Sequence, residues 1–244
     1  MFGAVRLRPA YLAALLAGTY AAPAAAGSPP VIEPRLAAVV AHTRGASGDD
    51  SRARIIDAFR LAVEGNQPLL VGSGERVAAI AISIAERLEV GDGGRDDLYL
   101  AALLRDVGEL GIDPRLLETP GALSEDQREI VRRHPVLGET ILAALAFLGE
   151  ASRVVRAHHE RWDGTGYPDR LAGEEIPYGA RILSVADAYV AMTSERPYRA
   201  ALRPAEAMGN LVAARGEAFD PRVVDAFVAL SASGELGPVG APGR

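Results

Sequence analysis

Apolar residues recur at helical spacing along most of the chain that follows Arg52. They return every three or four positions, which is typical of helices that bury one face. No segment alternates between apolar and polar residues for long enough to predict a β-sheet. We therefore predict an all-α protein, with helical segments at 55–63, 77–88, 98–107, 124–133, 136–148, 151–159, 180–193, 204–215 and 223–230.

The segment that begins at Ser124 also carries a helix-start signal. Gln127 follows Ser124 by three positions, a spacing at which each side chain can bond the backbone N–H of the other residue. We predict that this capping box begins a helix.

The helical pattern delimits one domain, which we place at residues 52–232. Segments 27–34 and 43–51 are rich in Gly, Pro, Ser or Asp and are typical of linkers. Residues 1–51 are therefore predicted to form an N-terminal extension. Residues 233–244 contain Gly and Pro and are predicted to form a flexible tail.

The N-terminal extension contains a short apolar run at 11–17, preceded by Arg6 and Arg8 and followed by small residues at 22–26. This order resembles a secretory signal. It also suggests an anchor, although a membrane span needs about 20 apolar residues. The alternatives are an Ala-rich helical extension and the remnant of a longer upstream region. We expect a cytoplasmic protein, with this segment as the candidate for membrane association.

Composition narrows the chemistry that the chain can perform. The formal net charge of −6 argues against a nucleic acid polymer as partner, because such partners select a basic face. The chain has no cysteine, so any metal has to be held by His, Asp or Glu side chains.

Three of the four histidines fall into one constellation, formed by His134 and the adjacent pair His158 and His159. Adjacent residues lie about 100° apart around a helix. The pair can therefore converge on one ion only if the helix ends there, and the turn around Gly164 and Gly166 allows this. The sequence predicts a metal site at these histidines.

Two carboxylates are candidates for the same site. Asp106 lies near the end of an apolar segment, where a buried carboxylate needs a cation. Asp187 is the only acid in its apolar helix. Simpler explanations stay open, because His134 could be a capping or core residue. Asp187 could equally be the ion-pair partner of Arg181 or Arg196.

The joint pattern resembles the HD-GYP family, a branch of the HD superfamily of metal-dependent phosphohydrolases. The matching blocks are HPVLG at 134–138, HHERWDGTGYP at 158–168, LAGEEIP at 171–177, ARILSVADAY at 180–189 and MTSERPYR at 192–199. The resemblance implies a helical bundle with a GYP loop and two or three iron or manganese ions. It also implies hydrolysis of cyclic di-GMP, an intracellular bacterial second messenger. In that chemistry the ions clamp a phosphodiester and neutralise its developing charge.

The resemblance also implies roles for individual residues. Asp106 and Asp187 are the implied catalytic carboxylates, and Asp106 would bridge the metals. The implied metal ligands are Asp106, His134, His158, His159, Asp187 and Glu64. The segment near the substrate phosphate contains Arg196, Tyr198 and Arg199. The signature loop, whose implied role is loop shape and contact with a protein partner, contains Gly164, Gly166, Tyr167 and Pro168.

The chain departs from the family pattern at several positions of the implied site. Ser73 and Arg105 stand where metal-binding histidines are expected. Glu109 replaces a phosphate-facing lysine, Val190 replaces a second acid, and Arg170 replaces the last glycine of the loop. A cation cannot coordinate a cation, so we predict fewer metal ions than in complete members of the family.

The substitution at Arg105 suggests its own compensation. We hypothesise that its guanidinium pairs with Asp106 or Asp187 and takes over part of the role of the missing ion. A local ion pair with Glu109, four residues further on, is the alternative.

These losses predict a domain impaired in hydrolysis that acts as a signalling or binding module for cyclic di-GMP or a related phosphodiester. The alternative is an active metal-dependent phosphodiesterase with a reduced metal centre. A structural remnant without activity is the third interpretation.

Overall fold

The computed structural model describes residues 49–66, 71–117, 119, 121–195 and 200–236. Within these residues the only β pairing is an isolated bridge between Arg215 and Phe219, so the predicted all-α fold is confirmed. The α-helices are α1 Asp49–Asn66, α2 Ser73–Arg87, α3 Asp92–Leu104, α4 Pro114–Leu117, α5 Glu125–Val131, α6 His134–Leu142, α7 Gly149–Ala157, α8 Tyr178–Thr193, α9 Pro204–Ala213 and α10 Pro221–Ser233. Short 3₁₀ helices span Val107–Gly111, Ala146–Leu148 and Gly173–Glu175.

Helix α2 lies at the centre of the bundle and packs against α3, α8 and α10. Its apolar residues recur every three or four positions, so Val77, Ile80 and Ile84 fall on one face and are fully buried. Helix α7 closes the other side of the core, where it contacts α3, α6 and α8. The elements that carry the candidate site residues are therefore held by one continuous apolar core.

The predicted capping box begins α5, as the sequence indicates. The Gln127 backbone N–H donates to Ser124 Oγ at 3.3 Å, and the Ser124 backbone N–H donates to Gln127 Oε1 at 2.9 Å. This confirmed prediction matters for the site because α5 leads directly into α6, which begins at His134.

Two predicted helical segments are interrupted. The segment predicted at 98–107 is α-helical only to Leu104, and a 3₁₀ helix follows from Val107. The segment predicted at 136–148 ends as an α-helix at Leu142. Gly108 lies in the 3₁₀ helix that begins at Val107, and this helix approaches α6 more closely than a side chain would permit. A Cβ atom on Gly108 would lie 1.9 Å from the backbone oxygen of His134.

The predictions for the N-terminal extension fall mainly on residues 1–48, outside the described residues, and those for residues 237–244 of the tail do so too. The division into an extension, a domain at 52–232 and a tail stays a prediction. None of the described helices combines the length and apolarity that crossing a bilayer requires.

Candidate metal centre

The three histidines predicted to bind metal lie together. His134 is the first residue of α6, and His158 directly follows the last residue of α7, so the helix ends where the sequence analysis requires it to end. The ligand nitrogens of His134, His158 and His159 all lie within 4.8 Å of one another. Among the described residues this is the one group of three or more metal-ligating side chains at that spacing.

Backbone hydrogen bonds orient two of the imidazoles. His134 Nδ1 lies 2.9 Å from the Val131 carbonyl oxygen, and His158 Nδ1 lies 2.6 Å from the Val155 carbonyl oxygen. A carbonyl oxygen can only accept, so both Nδ1 atoms carry the proton, and neutral rings present bare lone pairs at Nε2. This arrangement is the one usually found in metal-binding histidines.

The two bare nitrogens face each other. His134 Nε2 and His158 Nε2 are 3.3 Å apart, in side chains that are almost completely buried. Two lone pairs at this distance cannot form a hydrogen bond when both rings are neutral. Burial lowers the pKa of all three histidines, and neighbouring histidines lower those of His158 and His159 further. Neutral, converging nitrogens fit a divalent cation, which would satisfy both lone pairs at once.

Arg105 occupies the other half of the implied site. Its side chain is 5% exposed, and its Nε donates to Asp187 Oδ1 at 2.7 Å, while Nη2 lies 3.1 Å from Asp106 Oδ2. Nη1 donates to the Ala102 carbonyl oxygen at 2.9 Å, and Nη2 to Ser73 Oγ at 3.4 Å. Ser73 and Arg105, the two positions that lack the expected histidines, are thus in direct contact.

The electrostatics of Arg105 keep it charged. Burial alone would lower its pKa, but Asp106 and Asp187 raise it above the usual value. The two carboxylates share one guanidinium, and they lie outside the group formed by the three histidines. Their predicted role as metal ligands therefore stays a prediction.

One alternative ion pair is wrong, because Arg181 pairs with Asp220 at 2.9 Å rather than with Asp187. The alternative pairing of Arg105 with Glu109 stays a prediction. The two residues do not share an α-helix, because α3 ends at Leu104 and a 3₁₀ helix begins at Val107, but Glu109 contributes to the raised pKa of Arg105.

Glu64 lies beside the Arg105 half of the site. It accepts hydrogen bonds from Arg60 Nη1 at 3.1 Å and from the backbone N–H of Gly72, just before α2, at 3.2 Å. Together with Ser73, Arg105 and others it lines a cavity of about 20 Å³, which has room for about one water molecule. Glu64 does not join the histidine group, so its predicted metal-ligand role stays a prediction.

The signature loop packs against the histidines. The Tyr167 ring stacks on His159, with ring centres 4.9 Å apart and planes 25° from parallel. A Cβ atom on Gly166 would lie 2.3 Å from the backbone nitrogen of Arg161, so a side chain there would collide with the loop itself. Gly164 adopts φ of +76°, a conformation that favours glycine. Pro168 follows Tyr167 and is half-buried.

Two substituted positions have different structural consequences. Arg170 keeps the left-handed backbone that glycine would adopt freely, with φ of 58°. Val190 is 2% exposed and belongs to the apolar core. An apolar side chain that packs in the core therefore takes the place of the expected acid.

Predictions for Arg196, Tyr198 and Arg199 fall outside the described residues. Conversely, the structure reveals a residue that sequence reasoning missed. Glu160 is 3% exposed and accepts three backbone N–H groups of the signature loop, from Asp169 at 2.7 Å, Arg170 at 3.1 Å and Leu171 at 3.1 Å. The sequence signal that could have indicated this role is the presence of an acidic side chain within a buried motif.

Comparison with known proteins agrees with this geometry. The HD domain family model matches residues 58–223. The chain is 40% identical over 156 residues to the cyclic di-GMP phosphodiesterase response regulator RpfG of Xanthomonas campestris pv. campestris, a match of 63% of this chain and 41% of the relative. It is 38% identical over 184 residues to the 3'3'-cGAMP-specific phosphodiesterase 3 of Vibrio cholerae, a match of 75% of this chain and 39% of the relative.

A solved structure shares the fold. The HDG"Y"P protein from Bdellovibrio bacteriovorus aligns with a TM-score of 0.57 at 17% sequence identity, covering 91% of this chain and 78% of that chain. The chain spans about two fifths of the length of the two curated relatives. On the family match and these relatives, the chain belongs to the HD domain family, within its HD-GYP branch.

Proposed function

We propose that this chain is a cyclic-dinucleotide-binding HD-GYP domain with an eroded metal centre, impaired in hydrolysis and acting as a signalling or binding module. The observation that carries the proposal is the position of Arg105 between Asp106 and Asp187. Cyclic di-GMP is the first candidate ligand and 3'3'-cGAMP the second, because relatives are named for their action on each.

Arg105 argues against a second metal for an electrostatic reason. A buried guanidinium held by two carboxylates repels a divalent cation and leaves both carboxylates already paired. It cannot be removed by deprotonation, because the neighbouring carboxylates raise its pKa. We therefore propose that the Asp106 and Asp187 half of the centre holds this arginine in place of an ion.

The histidine half supports retention of one ion. His134, His158 and His159 would hold an iron or manganese ion, whose chemistry is Lewis-acid polarisation of a phosphodiester oxygen. The chain's own contribution is orientation, since two backbone carbonyl groups fix the rings with Nε2 towards the centre. His159 and Tyr167 form the less deeply buried side, through which we propose that the ligand enters.

The same histidines favour the second candidate function, an active phosphodiesterase with a reduced metal centre. Three converging neutral imidazoles suffice for one Lewis-acidic ion. Slow, metal-dependent hydrolysis of a cyclic dinucleotide is the property that would distinguish this enzyme from a binding module.

Calorimetric titration of the full chain with cyclic di-GMP and 3'3'-cGAMP, with manganese present, tests binding. Product analysis after incubation with manganese or ferrous iron tests hydrolysis. Binding without turnover supports the module, and metal-dependent turnover selects the enzyme. If the chain neither binds nor hydrolyses a cyclic dinucleotide, both candidates are contradicted. Binding of a protein partner at the signature loop is then the remaining interpretation.

The cellular setting follows from the ligand. An intracellular messenger requires a cytoplasmic domain, so we propose that location, with the N-terminal apolar segment as the candidate for membrane association. Fractionation of cells that express the full chain tests this proposal.

A further inference from the structure

Beside the histidines, an exposed arginine caps the outer edge of the signature loop. Arg132 directly follows α5 and precedes His134 by two residues. Its guanidinium carbon lies 5.5 Å from the centre of the Tyr167 ring, and that ring stacks on His159. His159, Tyr167 and Arg132 thus form a connected row from the metal-binding histidines towards solvent.

The side chain of Arg132 remains accessible to a ligand. It is 51% exposed, and its ion pair with Glu125 is long, at 3.6 Å, and lies at the surface. Arg128 also holds this Glu125 carboxylate, through a shorter contact. Exposed ion pairs contribute little free energy, so an incoming anion can displace this one.

An anionic ligand meets an excess of negative charge at the site. The two carboxylates of Asp106 and Asp187 share one guanidinium, that of Arg105. Arg105 is buried by its own ion pairs. Arg132 supplies an accessible side-chain cation that can contact a phosphate in addition to an ion held by the histidines.

We propose that Arg132 binds a phosphate group of the cyclic dinucleotide and sets the affinity of the site. Its planar guanidinium can donate two parallel hydrogen bonds to phosphate oxygens while its face remains on Tyr167. This inference rests on the proposed function, because it assigns a binding residue to that ligand. It also explains how the site accepts an anion although Glu109 stands where a lysine is expected.

The test compares Arg132→Ala with Arg128→Ala by calorimetric titration of cyclic di-GMP into the manganese-loaded full chain. Both variants remove one arginine that pairs with Glu125, so they change the net charge equally. Arg132→Ala is expected to weaken binding by about tenfold or more, because it removes both charge-assisted hydrogen bonds to the phosphate. Arg128→Ala is expected to stay within about twofold of the unchanged protein.

Arg132→Lys is the second variant and guards against a folding defect. It retains the positive charge but not the paired donors, so its affinity is expected between those of the unchanged protein and Arg132→Ala. Equal losses in the Arg132→Ala and Arg128→Ala variants, or unchanged binding by Arg132→Ala, would overturn the assignment. If the unchanged protein binds no cyclic dinucleotide, the proposed function fails and the assignment fails with it.

Discussion

At the scale of single residues, Arg105 is the cation that the two carboxylates of the candidate site share. Its guanidinium contacts Asp106, Asp187, Ser73 and the Ala102 carbonyl group. The candidate site thus contains an internal cation. The arginine should contribute to stability as well as restrict metal binding.

Replacing Arg105 with Met is therefore expected to lower the free energy of unfolding by about 2–3 kcal/mol, measured by urea denaturation with a chelator present. The physical reason is that Asp106 and Asp187 would keep their partial burial without a partner. This expected loss of unfolding free energy is smaller than for a fully buried ion pair, because both carboxylates reach solvent. The Asp106 side chain is 18% exposed and the Asp187 side chain 25%.

Arg115→Met is the matched control for that measurement. Arg115 also pairs with an aspartate, Asp113, but its side chain is 89% exposed. Its replacement is expected to leave the unfolding transition nearly unchanged. A loss of unfolding free energy in Arg105→Met as small as that in Arg115→Met would show that the Arg105 ion pairs do not stabilise the fold.

At the scale of elements, one carboxylate holds the signature loop against the end of α7. Glu160 follows the two histidines and accepts three consecutive backbone N–H groups from the far side of the loop. Tyr167, which stacks on His159, lies within the segment that these bonds close. The loop therefore keeps its shape through its backbone and not only through its aromatic residues.

Glu160→Gln is expected to loosen this loop. The amide group of Gln would direct a donor at a backbone donor, which leaves a buried N–H unsatisfied at a cost of about 1–3 kcal/mol. Hydrogen exchange at Asp169, Arg170 and Leu171 should accelerate. Glu175→Gln is the control, because Glu175 accepts one backbone N–H at an exposed position. Unchanged exchange in Glu160→Gln would contradict the assigned role.

The contact between the first 3₁₀ helix and α6 is a second element-scale feature. Gly108 brings the two backbones together, which places Asp106 near the start of α6, where His134 lies. Gly108→Ala should force them apart and lower the free energy of unfolding by about 1–3 kcal/mol, as measured by urea denaturation. Gly209→Ala, at a helical glycine with nothing within 4 Å, should raise it by about 0.5–1 kcal/mol. A stable Gly108→Ala variant would refute the close approach.

At the scale of the whole molecule, features that depend on local sequence patterns could be predicted. Contacts between residues distant in the chain mostly could not. Helical periodicity predicted the all-α fold, and the Ser124 capping box was predicted from two residues. The charge of Arg105 suggested a pairing with Asp106 or Asp187. The sequence could not show that Glu160 binds the loop or that Arg181 pairs with Asp220, since such contacts depend on tertiary packing.

The same limit applies to the ends of helices. The periodic pattern continues past Leu104, where the α-helix ends, because apolar residues also face the core from a 3₁₀ helix. The 3₁₀ helix packs closely on α6 at Gly108, and α6 begins only at His134, far along the chain. Spacing alone therefore indicates which residues are buried better than it indicates where each helix stops.

The state of the whole metal centre leads to the most decisive prediction. Ser73 and Arg105 touch, so a double variant Ser73→His, Arg105→His would place two imidazoles beside Asp106 and Asp187 in place of one guanidinium. The unchanged protein is expected to hold about one manganese ion per chain and the double variant about two, measured by elemental analysis after dialysis. The reason is that imidazole and carboxylate ligands together suit such ions.

His158→Ala is the control for the first ion, because it removes one of the two facing Nε2 atoms while leaving Arg105 in place. It should lower the manganese content of the unchanged protein below one. If the double variant also hydrolyses cyclic di-GMP faster, the result supports the proposal that the absence of histidines at these two positions impairs hydrolysis, and Glu109→Lys can be added as a further step. Two tightly bound ions in the unchanged protein would contradict the eroded centre, because Arg105 would then have to leave both carboxylates.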